Sequence, residues 1–197
     1  MNLVYRIKYA ATVIVTVFAI LAPSGFLVIA TSIQKLCKDT KQHEVTLFKL
    51  TKAKSLEFQI SESLSGMAGL ADRGMDIITD PQRGNCLSCH QISSVEKMVD
   101  LDKPETKTLY GHHGTIGKTL DGIAEKYSPG ELRLIVVDPK RALPNKNIIM
   151  PSYHRIDGFI NVDSSCKGKT ILSAQDVEDV VAYLLLQKSE KPAVPAK

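Results

Sequence analysis

The residues with the clearest chemical signature are two cysteines and a histidine in one short stretch. Cys86, Cys89 and His90 form a C-x-x-C-H motif, the pattern at which a c-type haem is covalently attached. The two thiols would add across the haem vinyl groups, and two intervening residues let one turn of chain present both sulfur atoms on the same side. His90 follows directly, so its imidazole can supply the proximal ligand of the haem iron.

Two other kinds of site also use a C-x-x-C pair. A thioredoxin-like dithiol should lie between a strand and a helix in a βαβ pattern, and no such pattern is visible in the sequence. A structural zinc site needs a second pair of ligands at suitable spacing. Cys37 and Cys166 are isolated from each other, and His112 and His113 are adjacent, which is the wrong spacing. The motif therefore predicts one covalently bound haem c.

The sixth ligand of the iron would decide what such a haem can do. The candidates are Met98, Met150, His112, His113 and His154. Met150 is favoured, because it is far along the chain from His90, lies in a loop between two predicted helices and precedes a stiffening proline. A thioether ligand raises the reduction potential, which suits an electron carrier. The alternatives are that Met150 only fills a gap in the core, or that His112 or His113 ligates the iron. His154, four residues after Met150, is expected to be exposed.

Length and charge set bounds on the protein class. A chain of 197 residues with 44% hydrophobic residues suggests one globular domain with an extension. The formal charge of +4 comes from scattered lysines, which argues against nucleic-acid binding, since that needs a concentrated basic stripe. No nucleophile–base pair or carboxylate dyad is visible by spacing. The sequence therefore predicts no catalytic site of its own.

The N-terminus predicts export. Arg6 and Lys8 precede an apolar stretch, and the next charged residue is Lys35. This pattern is typical of a cleaved signal peptide, although the uncharged run is also long enough for a membrane anchor. Pro23 and Gly25 interrupt the run and favour the signal peptide. Both alternatives place the rest of the chain in the periplasm, where the attachment of haem c is completed.

Two cysteines remain once the haem pair is assigned. In an oxidising compartment, Cys37 and Cys166 can form a disulfide. Their separation in the sequence says nothing about their distance in space, so two unpaired thiols are an equal alternative.

Local signals predict a mainly α-helical chain. Residues 72–79 carry apolar side chains at helical spacing, and this first helix should end before Pro81. Residues 128–131 (Ser-Pro-Gly-Glu) combine an N-cap, a proline at the first position and an acid at the third, so a helix should start there and end at Asp138. Residues 139–168 are predicted to form a long loop.

The strongest helical signal lies near the C-terminus. Ser173 and Asp176 have the spacing of a capping box. Apolar residues then repeat along one helix face at Val177, Val180, Val181, Leu184 and Leu185. In small c-type cytochromes a helix just ahead of the haem motif crosses the C-terminal helix, so a resemblance to them implies that this helix and the first one cross and clasp one side of the haem pocket. Upstream, partial alternation between Glu44 and Ile60 predicts one or two short extended segments.

These signals divide the chain into four parts. Residues 1–30 are the leader, and residues 31–60 are a polar tether followed by the extended wrapping segments. Residues 61–188 are the cytochrome c domain, and residues 189–197, which contain two prolines, are a disordered tail.

Taken together, the motifs resemble the SoxX family, the monohaem cytochrome c subunits of SoxAX complexes in bacterial sulfur oxidation. The similarity covers roughly residues 44–187. The matching motifs are Arg83-Gly84-Asn85 before the haem motif, Gly114-x-x-Gly117-x-x-Leu120-Asp121-Gly122, Glu131-Leu132-Arg133, Ile149-Met150-Pro151, and residues 172–184. The haem motif alone indicates only a c-type cytochrome, whereas the Met-Pro loop followed by that C-terminal helix is specific to the family.

The resemblance implies a class I cytochrome c fold, a small helical domain around one haem. It implies Cys86 and Cys89 as thioether anchors and His90 and Met150 as axial ligands. It also implies a partner cytochrome subunit, SoxA, in a complex that couples thiosulfate oxidatively to a cysteine of the carrier protein SoxYZ. In that family the catalytic cysteine belongs to SoxA, so this chain would be the electron-transfer subunit of an L-cysteine S-thiosulfotransferase complex and would pass electrons to a downstream cytochrome c.

One departure from the family pattern concerns Lys118, because many members have a proline at this position. The carbonyl of that proline commonly accepts a hydrogen bond from the proximal histidine. Lys118 offers a carbonyl as well, but its backbone is not constrained in the same way. Two other functions compete with the complex subunit: a free-standing electron-carrier cytochrome c, and a haem enzyme or gas sensor with an open sixth coordination site.

Overall fold

The computed structural model describes residues 43–98, 113–157 and 166–189, which all lie in the unit that runs from Lys35 to the C-terminus. The predicted leader, most of the tether, Cys37, His112 and most of the predicted tail lie outside the described residues. Within the described ranges, no helix is long and apolar enough to cross a bilayer.

The described chain is mainly helical, as predicted, with one small antiparallel sheet. Its elements are β1 (Thr51–Lys52), β2 (Phe58–Gln59), α1 (Ala71–Thr79), a 3₁₀ turn (Cys86–Ser88), α2 (Ser93–Glu96), α3 (Ile123–Lys126), α4 (Pro129–Val137), α5 (Pro139–Ala142) and α6 (Ala174–Leu184). In the sheet, Thr51 pairs with Gln59 and Lys52 with Phe58.

Helices α1 and α6 cross at a point where α1 has no side chain. A Cβ atom added at Gly74 would lie 2.0 Å from the carbonyl oxygen of Asp179, so only glycine permits this approach. The carboxylate of Asp179 is fully buried and accepts a hydrogen bond from the Leu70 N–H at 2.8 Å. Because Leu70 is the N-cap residue of α1, the Asp179 carboxylate of α6 satisfies a main-chain donor at the start of α1. The predicted crossing is confirmed.

Helices α4 and α6 begin where their capping signals predict. The Ser128 hydroxyl accepts from the Glu131 N–H, and the Glu131 carboxylate accepts from the Ser128 N–H. Ser173 and Asp176 make the same reciprocal pair at α6. Each box satisfies two main-chain donors that the helix itself leaves unpaired.

The short sheet is held against α4 by buried charge. The Glu131 carboxylate also accepts from the Ser55 and Leu56 N–H groups. Burial raises the pKa of Glu131, but its hydrogen bonds lower it, and the net result is a lowered pKa. Arg133 pairs with Glu178 of α6 and donates to the Ile60 carbonyl at 2.6 Å. These contacts tie the residues around β2 to α4 and α6.

Two expectations about the C-terminal half are wrong. The predicted loop 139–168 contains α5, because the Asp138 carboxylate that ends α4 also accepts from the Arg141 N–H and so caps a second helix. His154, expected to be exposed, is fully buried. Its Nδ1–H donates to the Leu172 carbonyl at 2.9 Å, and its Nε2 accepts from the Thr46 N–H at 3.0 Å.

Candidate haem site

The C-x-x-C-H motif folds as a single tight turn. Cys86–Ser88 is a 3₁₀ turn, and the His90 N–H donates to the Cys86 carbonyl at 2.9 Å. The turn opens at Asn85, whose φ of 48° is left-handed, a conformation that asparagine tolerates better than most residues. Both cysteines and His90 line one cavity, as the spacing predicts.

This cavity has a volume of about 570 Å³, within the range of pockets that bind organic ligands and cofactors. Met150, distant from the motif in sequence, lines it too. The apolar side chains in the wall are contributed mainly by α4, α6 and the loops around them. They include Ile78, Leu132, Ile135, Val136, Leu172, Val180 and Leu184. Two thiols, an imidazole and a thioether in an apolar cavity are a donor set and environment that fit a c-type haem.

The orientation of His90 is set by the segment that contains Gly117 and Lys118. The Nδ1–H of His90 donates to the Lys118 carbonyl at 2.7 Å, which leaves Nε2 free to bind a metal. Gly117 lies against the imidazole: an added Cβ would be 2.4 Å from Cε1. Lys118 therefore offers this acceptor through its main-chain carbonyl, without a proline at the position.

The same segment runs alongside the haem motif in the same direction. Three main-chain hydrogen bonds join them: Gly114 N–H to Leu87 O at 2.8 Å, Gly117 N–H to Cys89 O at 2.8 Å, and Leu120 N–H to Gln91 O at 2.9 Å. Asp121 then accepts from the N–H and the hydroxyl of Ser93 at the start of α2. Burial raises the pKa of Asp121, but the hydrogen bonds from Ser93 and Thr119 and the charge of Lys97 together lower it, with a net lowering.

The two cysteines are free thiols, and Cys86 is not activated. Burial raises the pKa of the Cys86 thiol to about 12, with the neighbouring Cys89 also raising it and the Tyr153 hydroxyl opposing the shift. Reactive dithiols have a lowered pKa and an electropositive environment. Cys86 therefore does not have the lowered pKa of a reactive thiol. Cys166, by contrast, is disulfide-bonded, while its possible partner Cys37 lies outside the described residues.

The other candidate ligands that the structure describes lie elsewhere. Met98 is 41% exposed, and His113 forms an ion pair with Glu96 when protonated; neither lines the cavity. Both ring nitrogens of His154 are used in hydrogen bonds to the main chain. Within the residues that the structure describes, no cluster of three or more His, Cys, Asp or Glu side chains is suited to a metal ion.

Sequence reasoning missed Tyr153, which also lines the cavity. Its side chain is 8% exposed, and its hydroxyl donates to the Gly84 carbonyl at 2.8 Å. The only sequence signal was an aromatic residue three positions after Met150 in the predicted loop.

Comparison with solved structures identifies a similar chain in the crystal structure of SoxXA from P. pantotrophus. The two chains are 31% identical, the alignment covers 66% of this chain and 90% of that one, and the TM-score is 0.53. No protein-family model and no curated protein sequence matches the chain.

Proposed function

Because this chain belongs to the SoxXA family of cytochromes, we propose that it is the monohaem electron-transfer subunit of a periplasmic sulfur-oxidising complex. Cys86 and Cys89 hold the haem covalently, and His90 and Met150 ligate its iron. The subunit accepts electrons when a SoxA-like partner couples thiosulfate to a cysteine of a SoxYZ-like carrier, and it passes them to a downstream cytochrome c. The 31% identity and 90% coverage of the SoxXA chain support membership of such a complex.

One observation carries the ligand assignment. Met150 and His90, from separate parts of the fold, line the same cavity as both thiols. A haem held there supplies reversible one-electron chemistry at its iron. The protein supplies the rest: the Lys118 carbonyl fixes the proton of His90 on Nδ1, and the apolar wall excludes water, which is one of the means by which proteins tune a haem potential.

The ligand assignment is tested on the purified holoprotein by absorption. Ferric haem with a thioether ligand shows a weak band near about 700 nm, which an open or bis-histidine site lacks. We expect the band in the wild type, its loss in Met150→Ala and its retention in the control Met98→Ala. Retention in Met150→Ala would show that another residue is the sixth ligand.

The partner assignment needs a separate experiment. Co-expression with a SoxA-like cytochrome subunit, followed by size exclusion, should give one co-eluting species. A correctly loaded holoprotein that never associates with such a subunit would instead be a free-standing electron carrier.

Mass spectrometry of the mature holoprotein tests two further parts of the proposal. The mass should exceed that of the polypeptide by one haem. The N-terminus should correspond to removal of the leader near residue 30, as expected for a periplasmic protein. A mature chain that retains residues 1–30 would favour the membrane anchor.

A further inference from the structure

Tyr153 connects the two sides of the cavity. It is three residues after Met150 in the chain, and its hydroxyl donates to the carbonyl of Gly84 at 2.8 Å. Gly84 lies two residues before Cys86, at the entrance to the haem-attachment turn. One phenolic group therefore links the loop that carries the thioether to the turn that carries the first thiol.

Both ends of this link are fixed. The Tyr153 N–H donates to the Val136 carbonyl of α4 at 3.1 Å, and the Tyr153 carbonyl accepts from the Leu172 N–H at 2.9 Å. On the other side, the Gly84 N–H donates to the Ile77 carbonyl at 3.1 Å. A Cβ added at Gly84 would lie 2.5 Å from that same oxygen, so Gly84 is held directly against α1.

The span that contains Met150 has no such attachments of its own. Among the described residues, positions 147–152 make no hydrogen bond, either through the main chain or through a side chain. The last fixed point before Met150 is the turn closed by the Lys146 N–H and the Leu143 carbonyl at 3.1 Å. The first fixed point after it is Tyr153. The position of the thioether therefore depends on how firmly Tyr153 is held.

We propose that the Tyr153 hydroxyl is a positioning group for Met150: by binding the Gly84 carbonyl, it holds the thioether loop in register with the haem-attachment turn. The inference rests on the proposed function, since it takes Met150 as the sixth ligand. Removing the hydroxyl should leave the haem attached and make the Met150 ligand easier to displace.

The test is competition by imidazole on the ferric holoprotein of Tyr153→Phe, followed through the band near about 700 nm. Losing one hydrogen bond should make imidazole displace the thioether at about five- to tenfold lower concentration. The matched control is Tyr183→Phe: Tyr183 is 6% exposed, its hydroxyl makes only a 3.4 Å contact with Ser94, and it does not line the cavity. Its imidazole affinity should stay within about twofold of the wild type.

Urea unfolding of both variants separates positioning from general stability. If the two variants lose similar stability and only Tyr153→Phe binds imidazole more tightly, the positioning role is supported. An unchanged imidazole affinity in Tyr153→Phe overturns it. A wild-type holoprotein without the band at about 700 nm would overturn the Met150 assignment and this inference together. If the wild type shows the band and the imidazole affinity of Tyr153→Phe is unchanged, only this inference is overturned.

Discussion

The Nδ1 atom of His90 lies 2.7 Å from the carbonyl oxygen of Lys118. This hydrogen bond determines which ring nitrogen is available to iron, and it depends on the main chain of Lys118 rather than on its side chain. The family pattern of a proline at this position is therefore not required for the contact. What the contact requires is that Gly117 lies flat against the imidazole ring.

The substitution Gly117→Ala should displace His90. The added methyl group would lie 2.4 Å from Cε1 of the imidazole, so the ring or the segment must move, at a cost of about 1–3 kcal/mol. We expect a lower free energy of unfolding and a ferrous spectrum with partial loss of the six-coordinate form. Gly66→Ala is the control, because its Cβ meets nothing within 4 Å and only its φ of +72° is unfavourable. That variant should lose about 1–2 kcal/mol and keep the wild-type spectrum; equal spectral changes in both variants would contradict the role of Gly117.

The buried ion pair between Arg133 and Glu178 should be costly to break from one side. The guanidinium donates two bonds of 2.8 Å to the carboxylate, and Glu178 also accepts from the Leu64 N–H at 2.8 Å. Glu178→Gln leaves a buried arginine without its counter-charge, so we expect a loss of about 3–5 kcal/mol in urea unfolding.

The exposed pair Lys52–Glu57 provides the comparison for that measurement, since its side chains are 79% and 61% exposed. Glu57→Gln should change the free energy of unfolding by less than about 1 kcal/mol. Similar losses at the two sites would mean that burial of the Arg133 pair has little energetic effect.

Stability should fall on mild acidification because of His154. Burial lowers the pKa of His154 below its usual 6.5, against the opposing effect of the Leu172 carbonyl. The unfolded chain therefore binds a proton at a pH where the folded chain does not. The contribution of His154 to the free energy of unfolding is complete above about pH 6.5. It is lost as the pH falls towards the folded-state pKa, with a slope of at most about 1.4 kcal/mol per pH unit.

The variant His154→Asn isolates this effect. It keeps a donor near the Leu172 carbonyl but cannot take up a proton. Urea unfolding at pH 5 and pH 7 should give a smaller difference for the variant than for the wild type, even if the variant is less stable at both. An equal pH dependence would assign the acid sensitivity to other groups.

The features that the sequence predicts correctly are those encoded within a few residues. The C-x-x-C-H spacing, the capping pairs at Ser128 and Ser173, and the 3-4-7 repeat of α6 each need only local geometry. The sequence predicts that a helix ends at Asp138, although the same Asp-Pro pair also has the form of an N-cap followed by proline at N1. The Asp138-Pro139 pair therefore marks both the end of α4 and the start of α5.

The features that were missed depend on partners distant in sequence. His154 is buried because it connects Thr46 and Leu172, and no local pattern distinguishes such a histidine from an exposed one. Tyr153 likewise acquires its role only when Gly84 is brought beside it. Hydrogen bonds between remote segments arise from tertiary packing, and neither helical periodicity nor residue composition encodes them.

The three hydrogen bonds between residues 114–120 and the haem motif have an evolutionary consequence. Each step of two residues along the motif is matched by three along the neighbouring segment. The number of residues after Gly114 therefore determines which carbonyl lies opposite His90. Thr115 is exposed within this stretch and does not line the cavity, so its side chain is free to diverge among homologous proteins. A single-residue insertion or deletion would bring a different carbonyl opposite the imidazole. Natural selection should therefore preserve the length of this segment more strictly than the identity of its exposed residues.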